Sequence, residues 1–358
     1  MSGELTDFSQ DENRREMAHA IAAIAEALGQ QEPLWINGEA VRAKETPIHS
    51  INPADPSEIV ARFPAASAEL VQAALDTAEI AGAVWRAVPG EERGRRLNRV
   101  ADSLEPRRLE LAAWLCFEAG MPWRTADREV AEAIAEIRAA ADGPPTNPDR
   151  VAVLEVRAPD ALKGIAHLLT TELRAGSTVL VRPDSSIPLV VARLVEAFHW
   201  EAELPPGVVN FAPRRGDGAW CHSRFAQGLD AAALDDALER ALSDSGQQEM
   251  PVFLVDPADY DATLQRLRDA LAELRVGAGI DFDTDIGPMR TEELQTRALA
   301  VPGAADGEFP NDSGYWVQPT LIEGAVPDLP LGPFVQVVPV SRADWRGWAE
   351  QRELPGWF

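Results

Sequence analysis

Residues 243–251 read Ser-Asp-Ser-Gly-Gln-Gln-Glu-Met-Pro and contain the most informative pattern of the chain. A helical pattern over 235–242 precedes a Gly-Gln turn, and the apolar run 252–255 predicts a strand after it. Glu249, between turn and strand, is the candidate reactive group. A carboxylate is a poor nucleophile towards a carbonyl carbon, so we interpret Glu249 as a solvated turn residue rather than as a catalyst.

A second candidate is the neighbouring pair Cys221 and His222. Adjacent residues of a strand point to opposite faces, and no supporting acid can be assigned from the sequence, so Cys221 is only a weak alternative nucleophile. The chain has two cysteines without C-x-x-C spacing and five histidines without metal-ligand spacing. These patterns predict neither a disulfide framework nor a metal site.

The charge of the chain restricts its partners. There are 33 lysines and arginines against 58 aspartates and glutamates, which gives a net charge of −25. Such a surface repels phosphates, so neither nucleic acid nor an anionic membrane is an expected partner. No apolar run approaches the roughly 20 residues of a membrane span, and the N-terminus lacks a signal-peptide pattern. We therefore expect a cytoplasmic protein.

The elements around these residues follow a clear order. Residues 1–32 contain an amphipathic helical pattern that we expect to dock on the body of the protein. The Asn-Gly pair at 37–38 predicts a hairpin turn, and Ser67 predicts the N-cap of a helix. The stretch 67–141 is helical, and 142–148 reads as a linker. Residues 151–211 then alternate strand, helix, strand, helix and strand, a pattern typical of a parallel sheet covered by helices. The predicted fold class is α/β.

Several short segments, taken together and in order, resemble the aldehyde dehydrogenase superfamily between about residues 33 and 341. They are Asn-Pro-Ala-Asp-Pro at 52–56, Leu-Arg-Ala-Gly-Ser-Thr-Val-Leu-Val-Arg-Pro at 173–183, Leu-Pro-Pro-Gly-Val-Val-Asn at 204–210, Asp-Ile-Gly-Pro-Met at 285–289, Pro-Thr-Leu at 319–321 and Gly-Pro at 332–333. The segment 113–123, with 127 and 130–134 behind it, looks most like the 1-pyrroline-5-carboxylate dehydrogenase branch. Those enzymes oxidise glutamate semialdehyde to glutamate.

The resemblance implies catalytic positions that this chain fills with other residues. The family has Gly-Gln-x-Cys, and Glu249 stands at the position of the nucleophilic cysteine. Asp160 stands near the asparagine that donates to the oxyanion, and we interpret it as a helix N-cap. Between Gly228 and Asp230 the family's phosphate-binding turn and general base are missing. The resemblance therefore implies common ancestry with the family but no dehydrogenase activity.

The resemblance also implies changes in the cofactor site. The family holds the adenosine ribose of the cofactor with a lysine and a glutamate. The corresponding segment here contains Arg182 and Ser185, which are the candidate cofactor-binding residues. A structural salt bridge is the favoured role of Arg182. Leu329 replaces the glutamate that anchors the nicotinamide ribose. The chain ends at Phe358, before the family's C-terminal segments, and we expect its tryptophan-rich end to cap the core.

The sequence is thus interpreted as a truncated, degenerate aldehyde dehydrogenase. The expected segments are an N-terminal helix at 1–32, a reduced Rossmann-like domain at 33–240, a remnant of the catalytic α/β domain at 241–341 and a tryptophan-rich tail at 342–358. We expect no activity, no bound cofactor, and a binding or scaffolding role beside an active dehydrogenase paralogue or a proline-pathway enzyme.

Two alternatives to this interpretation stay open. One is an NAD(P)-dependent oxidoreductase of the glutamate semialdehyde type, with a site rebuilt around Cys221, Arg182 and Glu249. NAD or NADP is the expected cofactor if any activity remains. The other is a gene product without a selected role, against which the coherent helical patterning argues.

Overall fold

The chain divides into two units, each described here by itself. The computed structural model describes residues 5–42, 46–144, 150–156, 162–183, 185–215, 223–228, 249–326, 329–352, 354 and 356–357. The first unit comprises Met1–Ala119 and Ala126–Ala219, and the second comprises Gly120–Thr125 and Trp220–Phe358. The expected boundary at 240/241 and the expected helix at 235–242 lie outside the described residues and stay predictions.

The first unit combines helices and two sheets. Its helices are α1 (Asp11–Glu26), α2 (Ala68–Ala87), α3 (Gly90–Leu104), α4 (Arg108–Glu118), α5 (Trp123–Ala141, whose first turn belongs to the second unit), α6 (Lys163–Ala175) and α7 (Pro188–Glu201). Its strands are β1 (Gln30–Gln31), β2 (Leu34–Ile36), β3 (Glu39–Val41), β4 (Pro47–Asn52), β5 (Asp55–Pro64), β6 (Val151–Val156), β7 (Thr178–Pro183) and β8 (Val209–Phe211).

The main sheet of this unit has the order β3-β2-β8-β7-β6. Strands β6, β7 and β8 are parallel, with Val153 opposite Leu180 and Leu180 opposite Asn210. Helices α6 and α7 connect them, because parallel strands need a crossover between them. The alternation predicted over 151–211 and the α/β fold class are confirmed. The predicted hairpin at Asn37 and Gly38 is also present, with both residues at positive φ between the antiparallel strands β2 and β3.

Helix α2 begins and packs as its sequence predicts. The Ser67 hydroxyl accepts a hydrogen bond from the Leu70 amide, which satisfies one free donor of the first turn. Small residues on its inner face, Ala74, Ala78 and Ala81, are buried beside Trp85. The Trp85 indole donates to the Leu173 carbonyl over 2.9 Å, so α2 is fixed to the end of α6 by a bond as well as by packing.

The N-terminal segment is attached to the first unit through one buried carboxylate. Asp127 on α5 accepts hydrogen bonds from the backbone and hydroxyl of Thr6 at 2.9 and 2.8 Å, and from two nitrogens of Arg108. Met17 and Ile24 of α1 are buried, and α1 packs against α4. The expected docking of the N-terminal helix on the protein is therefore observed.

The second unit is built on a five-stranded parallel sheet of order β11-β12-β10-β9-β13. Its elements are β9 (Ser223–Gly228), β10 (Glu249–Val255), α8 (Tyr260–Glu273), α9 (Glu292–Leu299), β11 (Thr320–Glu323), β12 (Phe334–Pro339), α10 (Trp345–Glu350) and β13 (Gly356–Trp357). Leu267, Val335 and Phe253 are fully buried between α8 and the sheet.

The segment after β12 covers one face of this sheet. Trp345 is buried among Val252, Leu254 and Val338, and its indole donates to the Val340 carbonyl over 2.9 Å. This contact agrees with the expected capping role of the tryptophan-rich end. Within the ranges described above, no helix combines the length and the apolar character needed to cross a membrane.

A buried glutamate joins three elements of the first unit. Glu118, the last residue of α4, is 1% exposed. Its carboxylate accepts hydrogen bonds from the Ser50 hydroxyl on β4 over 2.6 Å and from the Leu189 and Val190 amides of α7 over 2.7 Å each. Burial raises the pKa of Glu118 to about 7, although these three donors favour the ionised form.

We expect Glu118 to make stability depend on pH. Because its folded pKa of about 7 lies above the ordinary value of 4.5, the folded state holds the proton more tightly than the unfolded state does. The contribution to the free energy of unfolding is therefore full below pH 4.5 and falls as the pH rises through about 7, by on the order of 2–3 kcal/mol. Urea unfolding of the wild type and Glu118→Gln from pH 5 to 8 measures this difference.

The matched control is Glu12→Gln, which removes an exposed carboxyl from α1. Its free energy of unfolding should follow the wild-type curve across the same pH range. A constant difference between the wild type and Glu118→Gln at every pH would contradict the expected titration of Glu118.

Candidate functional site

The candidate cofactor residues lie at the carboxyl edge of the main sheet of the first unit. Arg182 is the penultimate residue of β7, and Ser185 follows two residues after the strand ends. In open α/β sheets this edge is where ligands bind. The structure therefore brings the two predicted residues to the same edge, where both side chains are partly exposed.

Arg182 has an incomplete set of contacts. Glu155 of β6 is its partner in the parallel register. The Nε atom of Arg182 is buried and donates no hydrogen bond within the described part of the chain. Burial of an unpaired donor is costly, so this guanidinium is a candidate for an additional acceptor. The expected structural salt bridge of Arg182 stays a prediction.

The helix N-termini at this edge are covered by the protein's own carboxylates. The amides of Leu189 and Val190 in the first turn of α7 donate to Glu118. The amides of Leu162 and Lys163 at the start of α6 donate to one oxygen of Glu129, over 2.8 and 3.0 Å. Helix N-termini are favourable phosphate sites, and here both hold a carboxylate instead.

The expected role of Asp160 as a helix cap falls outside the described residues and stays a prediction. Helix α6 begins at Lys163 with Leu162 at the N-cap position, and the side chain of Leu162 makes no capping hydrogen bond. Glu129 from α5 supplies the acceptor that a local cap would have supplied. Asp160 itself lies outside the described residues, so its relation to an oxyanion position is not tested.

Glu249 is a strand residue and not a turn residue, which corrects the interpretation of the sequence. It is the first residue of β10 and is paired in register with Ser223 of β9. Pairing with β9 extends the strand three residues towards the N-terminus of the apolar run 252–255. Backbone hydrogen bonds do not depend on the type of side chain, so a polar residue can begin the strand. The position that the resemblance assigns to the nucleophile is thus the start of a parallel strand.

The thiol that the structure describes is not available for catalysis. Cys116 of α4 is buried, and this burial raises the pKa of its thiol above the ordinary value. A thiol acts as a nucleophile only as the thiolate, which this environment disfavours. Cys221, the alternative nucleophile, lies outside the described residues.

The Asp-Ile-Gly-Pro-Met segment has a packing role in the second unit. A Cβ atom on Gly287 would lie 1.9 Å from the Gly120 carbonyl oxygen, so only glycine allows this contact. Nearby, Trp123 donates to the Ile280 carbonyl over 3.0 Å, and its ring lies edge-on to Phe282. This segment holds the loop 277–289 against residues 120–123.

Sequence reasoning missed Glu118 and Glu129, the two carboxylates that cover the helix N-termini. Glu118 had a recognisable signal, since a negative charge at the C-terminal end of a helix opposes the helix dipole. Glu129 had none, because it lies in the middle of α5, 33 residues from Leu162. Among the residues described, no group of three potential ligands could hold a metal ion, and the predicted absence of a metal site stays a prediction.

Comparisons with known sequences agree with the resemblance. The aldehyde dehydrogenase family profile matches residues 40–158. A 1-pyrroline-5-carboxylate dehydrogenase of Halalkalibacterium halodurans is 38% identical over 230 residues, which cover 59% of this chain and 44% of that protein. One from Bacillus subtilis is 36% identical over 320 residues, covering 83% of this chain and 60% of that protein. The chain thus spans about half the length of these relatives.

Comparisons with solved structures agree on the fold. A 1-pyrroline-5-carboxylate dehydrogenase from Thermus, solved with bound NAD, superposes with a TM-score of 0.83 at 24% identity, covering 95% of this chain and 82% of that one. A Mycobacterium tuberculosis enzyme of the same name, also with NAD, gives 0.82 at 19% identity. At such identities the likeness shows the fold alone.

The motifs, the family match and the shared fold lead to one assignment. The matched segment lies in the first unit apart from residues 120–125, and the segments 285–289, 319–321 and 332–333 extend the resemblance further into the second. The chain contains an aldehyde dehydrogenase family domain, matched at residues 40–158, and is related in sequence to 1-pyrroline-5-carboxylate dehydrogenases.

Proposed function

We propose that this chain is a catalytically inactive aldehyde dehydrogenase-like protein that binds an active dehydrogenase or another proline-catabolic enzyme. The observation on which this rests is Glu249, which begins β10 at the nucleophile position. A carboxylate cannot form the thiohemiacetal from which hydride leaves, and the described thiol, Cys116, is buried. The chain therefore lacks a reactive group where the family reaction begins.

The helix N-termini support the inactive interpretation. Nucleotide phosphates are held by free backbone amides at such positions. Glu118 and Glu129 already accept the hydrogen bonds of these amides in α7 and α6. A phosphate would have to displace a carboxylate and would meet a chain with a net charge of −25. Both effects disfavour NAD and NADP.

The scaffolding role is inferred from ancestry and from the folded framework. The relatives are named 1-pyrroline-5-carboxylate dehydrogenases, which makes an enzyme of proline breakdown the first partner to test. The two units keep buried hydrophobic cores without the family's catalytic residues. A protein that keeps the family fold without the catalytic activity can still bind another protein through its surface.

The second candidate is an NAD(P)-dependent oxidoreductase acting on glutamate semialdehyde through a rebuilt site. The observation that favours it is Arg182, whose Nε lies without an acceptor at the carboxyl edge of the sheet. Cys221 would be the nucleophile, and Arg182 and Glu249 would be the other residues of the rebuilt site. Nucleotide binding separates this candidate from the inactive protein.

We expect millimolar NAD or NADP to leave the thermal midpoint of this chain unchanged. A ligand at 100 times its dissociation constant adds about 2.7 kcal/mol of stability, which is easily detected by differential scanning fluorimetry. The Thermus 1-pyrroline-5-carboxylate dehydrogenase that was solved with bound NAD, run in parallel, should shift with NAD and so validates the assay. A saturable shift in this chain would support the oxidoreductase instead.

We expect Glu249→Cys to remain without aldehyde-dependent NADH formation. The substitution supplies a thiol, but the oxyanion donor, the general base and the phosphate-binding turn are still absent, and each is needed for the family reaction. A thiol-specific reagent should show that the new cysteine is accessible, which makes a negative rate informative. Oxidation of glutamate semialdehyde by this variant would overturn the proposal of an inactive protein.

We expect affinity purification of the tagged chain from its native host to recover a dehydrogenase or a proline-pathway enzyme. The matched bait is an unrelated acidic protein with a similar net charge, which identifies partners attracted by charge alone. Recovery of the same proteins with both baits, or of no such enzyme, would contradict the scaffolding role.

A further inference from the structure

Strand β6 is an outer strand of the main sheet of the first unit and the last in the order β3-β2-β8-β7-β6. The amide of Thr178 on β7 donates to the Arg150 carbonyl, immediately before β6 begins, over 3.3 Å. In a parallel ladder, alternate residues turn their amide and carbonyl towards the neighbouring strand. The residues in phase with Arg150 therefore bond to β7, whereas Val151 and Val153 turn their main-chain groups to the outer side.

The main-chain groups on this outer side are suited to a further strand. Within the described ranges, those of Val151 and Val153 meet no hydrogen-bond partner. The two residues are two positions apart, so their donors and acceptors repeat at about 6.6 Å along the strand. A row of amides and carbonyls at this spacing is matched by the backbone of another extended chain.

Among the edge strands that the structure describes, β6 is the one without the usual protection. Exposed strand edges are ordinarily short, interrupted by bulges, or blocked by proline and lysine. Strands β1, β3 and β13 have two or three residues each, and β11 has four. Strand β4 begins with Pro47, and its pairing with β5 shifts register between Ser50 and Asn52. Strand β6 has six residues in unbroken register with β7, without proline or lysine.

The side chains beside this edge are apolar on both faces of the sheet. Successive side chains of a strand point to opposite faces, so Val153 lies on one face and Leu154 on the other. Val153 is 47% exposed, and of the exposed large hydrophobic side chains in the described residues it alone lies in a strand. Leu154 is partly buried. Strands of parallel sheets are ordinarily covered on both faces, and an added strand would extend that cover over both side chains.

We propose that the outer edge of β6 is a strand-addition site that binds an extended segment of another protein through main-chain hydrogen bonds. The segment has at least about four residues, which are needed to span the outward groups of Val151 and Val153. It contains no proline at the paired positions, because its amides must donate to β6. Aliphatic side chains on both of its faces cover Val153 and Leu154.

The charge of the chain selects among possible occupants of this edge. A second copy would bring a further net charge of −25 to the edge, which disfavours pairing of β6 with itself. An acidic segment is disfavoured for the same reason. The occupant is therefore a neutral or basic, aliphatic, extended segment of a different protein. This inference goes beyond the scaffolding role, because it requires no link between that protein and proline breakdown.

A synthetic peptide with the sequence of residues 177–182, Ser-Thr-Val-Leu-Val-Arg, is the probe. It contains most of β7, which already pairs with β6 on the inner side, and it is aliphatic and carries one positive charge. Fluorescence anisotropy of the labelled, end-blocked peptide with the full chain should give a dissociation constant on the order of 10–100 μM. The control peptide has N-methyl groups on its two valines and its leucine. It keeps the side chains and the charge but lacks these amide donors, so it should bind at least about 10-fold more weakly.

Substitutions at Val153 test the edge from the side of the protein. Val153→Pro removes an outward donor without removing a hydrogen bond to β7, and it should weaken binding of the probe at least about 10-fold. The matched control, Val153→Thr, keeps the amide and the β-branched shape and should stay within about threefold of the wild type. Circular dichroism confirms folding of both variants. Val151→Pro, at the first residue of the strand, takes the place of Val153→Pro if that variant does not fold.

Hydrogen exchange locates the bound probe. In the free chain, the amides of Val151 and Val153 should exchange quickly, whereas those of Ala152 and Leu154, which bond to β7, should exchange slowly. Saturating probe should slow exchange at Val151 and Val153.

The proposal is supported by binding that depends on the peptide amides and on the Val153 amide, with protection at β6. Absence of binding at 10 times the expected dissociation constant overturns it. So does equal binding of the N-methylated peptide, equal binding by folded Val153→Pro, or protection confined to another part of the chain. A dimer of the free chain that the probe dissociates would assign the edge to a second copy and overturn the choice of a different protein. The nucleotide and pull-down results bear on the proposed function alone.

Discussion

The buried carboxylate of Glu118 is the interaction on which much of the first unit depends. It is the C-terminal residue of α4, yet it accepts hydrogen bonds from β4 and from the first turn of α7. Three elements far apart in sequence are therefore positioned by two oxygen atoms. An ionised carboxylate is costly to bury, and here three donors offset that cost, although the pKa still rises to about 7.

The same bonding pattern limits what the carboxyl edge of the sheet can bind. A helix N-terminus can hold a phosphate only if its amides are free. Glu118 and Glu129 accept hydrogen bonds from the first amides of α7 and α6. The amide donors that a nucleotide phosphate would need are therefore already used within the protein. Arg182 and Ser185 remain at the edge, but they lie beside helices whose positive ends are already neutralised. Hydrogen bonds within the protein and hydrogen bonds to a ligand would use the same backbone amides.

Helix α2 shows the opposite situation, in which apolar surface is left without a contact. Its inner face follows the usual rule that small residues allow a helix to approach a sheet closely, with Trp85 fixed by a hydrogen bond to Leu173. On its outer side, Ile80, Ala83, Val84 and Ala87 are exposed.

The sequence by itself determined the α/β class, the strand and helix order over 151–211, the Asn37-Gly38 hairpin and the family, because these depend on local periodicity, turn chemistry and short motifs. The resemblance also places Glu249 at the position of the family's nucleophile, which stays a prediction. Only the tertiary structure decided that Glu249 begins a strand, that Leu162 rather than Asp160 precedes α6, and that Glu118 and Glu129 cover helix ends. Those outcomes depend on pairing and hydrogen bonds between residues distant in sequence, such as Glu249 with Ser223 and Glu129 with Leu162, and no local pattern encodes them.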